Sequence, residues 1–193
     1  MPNRLVVNRE TGLVVGALQA HSPNQDARPA GVVPDLLVLH GISLPPGEFG
    51  GGGVHALFTN CLDPAAHPFY AGIASMRVSA HLFLRRDGAL IQYVPVHRRA
   101  WHAGHSSWHA RPACNDYSLG IELEGTDETP YSDAQFDVLG PLCRGLMAAF
   151  PAITQERIVA HSDIAPGRKT DPGPAFDWER LRQGLPAGPA VVR

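Results

Sequence analysis

Leu36-Leu37-Val38-Leu39 is an unbroken apolar run that stops at His40, and it constrains the fold more than any other stretch. Without polar alternation, such a run reads as a strand buried inside a sheet. His40 then stands at the strand's end. A lone histidine in that place is more often a hydrogen-bonded structural group than a ligand, and the run by itself does not decide between the two.

Residues 160–174 add the chemistry. There His161, Lys169 and Asp171 put an imidazole, an ammonium and a carboxylate on one loop. Pro166, Pro172 and Pro174 each fix a backbone dihedral, so the loop has already lost much of its freedom. His40, His161 and Asp171 would supply two nitrogens and one oxygen, a donor set suited to zinc with a fourth position kept for water. The chain holds no H-E-x-x-H pair, and ten histidines allow many other triads, so spacing leaves this set a suggestion.

The rest of the chain supplies the elements around that run. Residues 80–86 and 89–94 flank Asp87-Gly88, a dipeptide that favours a two-residue turn between antiparallel strands. In Leu119-Gly120-Ile121-Glu122-Leu123-Glu124, alternation puts Ile121 and Leu123 on one face and both glutamates on the other. Ser132 with Gln135 reads as a capping box opening a helix with Phe136, Leu139, Leu142, Leu146 and Phe150 at helical spacing and a kink at Pro141. Short helices are expected after Gly53 and from about Asp177. These elements make a mixed α/β single domain: a central, mostly antiparallel sheet flanked by helices, with the site at the sheet's edge. Its core should span about residues 22–183, and 184–193 should be a frayed tail.

Composition excludes several partners. A formal net charge of −2 over 193 residues gives no general attraction for nucleic acid, and no Lys or Arg run resembles a membrane anchor. No apolar run approaches transmembrane length. Cys61, Cys114 and Cys143 are odd in number and widely spaced, which points to a reducing compartment rather than a disulfide framework. The first ten residues show no signal peptide, so a cytoplasmic protein is expected, and it is expected to be a monomer.

Separated segments then recur in one order: His40-Gly41-Ile42-Ser43-Leu44-Pro45-Pro46-Gly47 through Gly51, Arg77-Val78-Ser79-Ala80-His81, Ala100-Trp101-His102-Ala103-Gly104, Cys114 through Asp127, and His161 through Pro174. In these, from about Ser22 to Trp178, the chain resembles the zinc N-acetylmuramoyl-L-alanine amidases related to T7 lysozyme and the peptidoglycan recognition proteins. The Ile42 to Gly51 stretch is most similar to the cytoplasmic members that act on 1,6-anhydromuramoyl peptides in cell-wall recycling.

The resemblance implies one Zn2+ per chain on His40, His161 and Asp171, and cleavage of the amide between the muramoyl lactyl group and L-alanine. It selects Glu122 over Glu124, which spacing alone does not, as the proton shuttle. It makes Lys169 the cation that stabilises the oxyanion, although Lys169 could instead merely neutralise Asp171. Arg77 would meet the peptide stem of an anhydromuramoyl peptide. Arg111 is a weaker candidate, because Ala113 stands where relatives often carry an arginine. Trp101 would stack on substrate or pack in the core, and His102 would donate to substrate. Gly41 and Ser162-Asp163 depart from the family pattern beside the first and second ligands. The remaining histidines, His81 among them, read as structural or surface groups. Two rival functions are a non-catalytic muropeptide-binding module and a zinc peptidase acting on the stem peptide.

Overall fold

Burial of the run at residues 36–39 organises the whole molecule, of which the computed structural model describes residues 5–186. In chain order the strands are β1 (Leu18–Gln19), β2 (Gln25–Asp26), β3 (Leu36–Ile42), β4 (Leu82–Leu84), β5 (Leu90–Gln92), β6 (Arg99–Ala100), β7 (Ser107–Trp108), β8 (Arg111–Pro112), β9 (Ser118–Glu124) and β10 (Ile158–Ala160). The helices are α1 (Gly53–Phe58), α2 (Pro68–Ala71), α3 (Asp133–Ala149), α4 (His161–Ile164) and α5 (Trp178–Gln183). Six strands form one sheet in the order β1-β5-β4-β9-β3-β10, while β2 with β6 and β7 with β8 make separate ribbons.

This sheet is mostly parallel, not mostly antiparallel as the hairpin signal suggests. Only β4 and β5 run antiparallel; β1 with β5, β4 with β9, β9 with β3 and β3 with β10 are all parallel. The physical reason is connection and cover. A short loop can join only antiparallel neighbours, whereas β3, β9 and β10 are reached through long crossovers. Parallel strands need cover on both faces, and here Leu36 to Leu39 are fully buried and β9 is buried throughout.

Alternation sorts the side chains onto two faces. Leu37, Leu39, Leu119, Ile121 and Leu123 pack with Leu139, Leu142 and Leu146 of α3. Leu36 and Val38 pack on the other face with Ala103, Tyr117, Val159 and Ile164. Register sets His40 beside Glu122, so both side chains emerge on this second face. The capping box of α3 is formed by Ser132 and Gln135. Gln135 Nε2 also donates to the Leu84 and Glu124 carbonyls at 3.2 and 3.1 Å, tying the helix start to the ends of β4 and β9. The helix continues through Pro141 to Ala149.

The β4–β5 turn is longer than the expected two residues. Arg85 N donates to the Ala89 carbonyl at 2.9 Å and Gly88 N to the Arg85 carbonyl at 3.0 Å. Gly88 sits at φ +86°, where a side chain would be strained. At the ends, Leu5, Val7 and Val14 share the core of α3, so packing starts well before Ser22. Gly184 closes α5 and Leu185 is buried, so these two belong to the packed body. The remainder of the expected tail, 187–193, lies outside the described residues.

Candidate active site

Three parallel strands deliver the central groups. His40 and Glu122 sit beside each other on β3 and β9. Ala160 pairs with Leu39, so His161, the next residue after β10, falls beside His40. The site therefore lies at the carboxyl ends of parallel strands, where open α/β sheets bind ligands; β3 and β9 are interior, but β10, which delivers His161, is the edge strand, so the site sits toward that edge of the sheet. Asp171 arrives on the following loop. Ser162 N donates to the Asp171 carbonyl, and Arg168 N and Lys169 N to the Ala165 carbonyl, all at 3.1 Å. The loop is held by its own backbone bonds.

His40 Nδ1 and His161 Nδ1 are 2.8 Å apart, and Asp171 Oδ2 is 3.0 Å from the second and 3.4 Å from the first. The other ring nitrogens turn away. His161 Nε2 faces the Ala103 carbonyl at 3.4 Å, and His40 Nε2 faces His102 Nδ1 at 2.8 Å. The converging atoms form a group that can hold a metal ion. Ligand bonds of about 2.0–2.1 Å in a tetrahedron put neighbouring donors roughly 3.3 Å apart, close to the spacing seen. One proton can bridge only two of these atoms, whereas one cation meets all three. Burial pushes the His40 imidazole down to about 4, against the pull of Asp171. Burial alone would raise Asp171, but the hydrogen bonds of His161 and His40 hold its carboxyl well below the usual range.

The two glutamates of β9 separate clearly. Glu124 accepts from Gly50 N at 2.6 Å and Arg86 N at 3.0 Å, which makes it a structural anchor. Glu122 lines the cavity with His161, Lys169 and Asp171, and its buried Oε2 has no hydrogen-bond partner. Burial raises its carboxyl well above the usual carboxylate range, with the Asp171 charge adding and Lys169 opposing. A buried, unpaired acid costs stability and is suited to exchanging a proton.

Lys169 reaches the cavity, while its neighbour Arg168 donates to the Ala103 and His105 carbonyls at 2.7 Å. Trp101 forms a wall of the cavity. His102 also borders it, but its ring nitrogens face His40 and Ser118, so it lies behind His40 rather than offering a free donor to substrate. Arg111 is not brought to the site: it pairs with Asp35, distant in sequence, at 2.8 Å and stacks over nearby Tyr117. Arg77 is exposed and donates to the Ser75 carbonyl at 3.0 Å; its neighbours Met76 and Val78 line the cavity instead. A Cβ at Gly41 would stand 2.6 Å from the Tyr131 hydroxyl, so that departure is matched by Tyr131 filling the space. Sequence reasoning missed the apolar wall of Leu57, Phe58 and Met76, for which the one signal was Met76 preceding the Arg77 motif.

Three donors that could hold a cation, beside an acid with an unpartnered oxygen at the carboxyl ends of parallel strands, make an arrangement suited to a hydrolase. The chain belongs to the N-acetylmuramoyl-L-alanine amidase family, which it matches over residues 30–174. The 1,6-anhydro-N-acetylmuramyl-L-alanine amidase AmpD of Escherichia coli K12 is 57% identical over 173 residues, covering 90% of this chain and 94% of that protein. A crystal structure of a selenomethionine AmpD derivative matches with TM-score 0.89 at 53% identity, covering 91% of this chain and 98% of that one. The E. coli amidase AmiD, in complex with anhydro-N-acetylmuramic acid-L-Ala-D-γ-Glu-L-Lys, matches with TM-score 0.59 at 30% identity, covering 85% of this chain and 63% of that one.

Proposed function

We propose that this chain is a single zinc amidase domain that cleaves the amide between the lactyl group of 1,6-anhydro-N-acetylmuramic acid and L-alanine, in cell-wall recycling. The observation that carries the reading is the buried, unpartnered Oε2 of Glu122 beside His40, His161 and Asp171, in a chain similar to AmpD over 90% of its length. His40 Nδ1, His161 Nδ1 and Asp171 Oδ2 would hold one Zn2+ per chain. Bound there, zinc supplies Lewis acidity that activates water and polarises the scissile carbonyl.

Glu122 takes one proton of the attacking water and returns it to the L-alanine nitrogen as the C–N bond breaks; the water's second proton then passes from the new carboxyl to the amine, leaving a lactyl carboxylate and a peptide ammonium. Its carboxyl, raised by burial above the usual carboxylate range, is suited to taking and returning a proton. Lys169 stabilises the oxyanion that develops on the carbonyl oxygen, and Trp101 lies against the substrate. Arg77 is assigned to the peptide stem, which requires its guanidinium to leave its own loop. Free thiols at Cys61, Cys114 and Cys143 support a reducing, cytoplasmic setting. Among the described residues no helix is long and apolar enough to cross a membrane.

The test is metal content together with release of intact peptide from anhydromuramoyl tripeptide, before and after chelation and zinc restoration. About one zinc per chain with chelator-sensitive, zinc-restored cleavage is expected. Bound zinc without cleavage would favour a muropeptide-binding module. Shortened peptide as the sole product would identify a peptidase, and full activity without metal would sink the mechanism.

A further inference from the structure

His102 and Ser118 stand behind His40, away from the converging donors, and their hydrogen bonds admit only one direction. The Ser118 hydroxyl has one proton. Its oxygen lies 2.6 Å from the Cys114 carbonyl, which can only accept, so the proton points there. The same oxygen, 3.1 Å from His102 Nε2, is left to accept, and His102 Nε2 must donate. Both nitrogens of this buried ring face uncharged partners, so the ring is neutral and its Nδ1 carries a lone pair. That lone pair faces His40 Nε2 at 2.8 Å, which must therefore be protonated. His40 Nδ1 is then bare, and it is the atom turned toward His161 and Asp171.

We propose that His102 is a positioning residue: through Ser118 and the Cys114 carbonyl it fixes His40 in the tautomer whose Nδ1 lone pair is offered to the metal. This rests on the reading of His40 as a ligand. Two further features hold the ring in place. Asn115 Oδ1 accepts the backbone N–H groups of His102 and Ala103 at 3.1 and 2.8 Å. Gly120 leaves the ring its room, since a Cβ there would come within 2.5 Å of His102 Cγ. Ligand histidines generally depend on such a partner at the far nitrogen, but here the direction of the whole chain is set by one serine proton.

The experiment joins long-range proton–nitrogen NMR of the metal-free protein to zinc titration against a competing chelator. The wild-type spectrum should show His40 protonated at Nε2 and bare at Nδ1. His102→Leu should weaken zinc binding about 10- to 100-fold. His102→Asn, whose Oδ1 takes the place of the ring Nδ1, should recover most of the loss. The opposite His40 tautomer in wild type would overturn the proposal, even where a variant fails to fold. Equal losses in the Leu and Asn variants would reduce His102 to a packing role and overturn it too. Zinc lost in His40→Ala but unchanged in His102→Leu would remove this proposal alone. Zinc unchanged in His40→Ala would remove the ligand reading and, with it, the proposal.

Discussion

On one face of β3 and β9, Leu37, Leu39, Ile121 and Leu123 pack against Leu139, Leu142 and Leu146 of α3. On the other face, one residue further along each strand, His40 and Glu122 are also buried, at 1% and 9% exposure, but they meet polar groups. Backbone and register are shared, so the difference lies in what burial does to each side chain. Removing apolar surface from water contributes about 25 cal/mol per Å², whereas a buried carboxylate oxygen without a partner costs roughly 1–3 kcal/mol or more. The face under α3 thus supports a site that is unfavourable on its own.

That contrast breaks most sharply at Glu122. Glu122→Gln keeps the shape and removes the group that can take and return a proton, so kcat should fall about 10²- to 10⁴-fold while zinc content stays at wild-type level and the unfolding midpoint holds or rises. Kinetics, metal analysis and denaturant unfolding read the three quantities. Loss of metal in this variant would make Glu122 a ligand and collapse the distinction between its role and that of His161. Lys169→Met should lower kcat by about 10²- to 10³-fold, the range for removing one oxyanion donor. Its neighbour gives the contrast: Arg168→Met removes bonds to two carbonyls, so its first loss should be stability, about 1–3 kcal/mol by denaturant unfolding. Equivalent kinetic effects in the two variants would mean that only surface charge matters there.

The supporting face should behave in the opposite way. Leu139→Ala opens a cavity against β3 and β9 and should cost about 2–5 kcal/mol of stability, with kcat per folded molecule unchanged. A fall in kcat at constant folded fraction would show that the two faces are mechanically coupled through the strands.

Legibility in the sequence divides along the same line. Local signals were readable: the apolar run of β3, the capping box at Ser132 and Gln135, and the alternation that puts Glu122 opposite Ile121. The choice between Glu122 and Glu124 was not local, because it depends on Gly50 and Arg86, which occupy Glu124 and leave Glu122 alone. Strand direction was unreadable for a similar reason. The Asp87-Gly88 turn advertises one antiparallel pair, while the parallel neighbours of β9 join it through distant chain segments. The resemblance made Arg111 and His102 substrate contacts, but a motif match does not show the partner waiting for a side chain, Asp35 in one case and His40 with Ser118 in the other.

The smallest expected effect concerns a histidine outside the site. His81 is fully buried on the same side of β9; its Nδ1 accepts from Gly120 N at 3.0 Å, and its Nε2 lies 3.0 Å from the Arg98 carbonyl and 3.1 Å from Arg28. Burial, then the Arg28 charge, push its imidazole down to about 3. A histidine whose folded pKa lies below its unfolded value near 6.5 holds its stability above that value and loses it as pH falls. From pH 6.5 toward about 3, the protein should therefore lose up to about 1.4 kcal/mol per pH unit through this residue, and about 1 kcal/mol between pH 6.5 and 5.5. His81→Asn keeps an acceptor for Gly120 N and cannot titrate, so its stability should fall less steeply between pH 6 and 5 by about that slope. Denaturant unfolding across this range compares the two slopes. Identical slopes would place the acid sensitivity elsewhere among the buried imidazoles, on the side of His40 and His102, and would tie low-pH unfolding to the site itself.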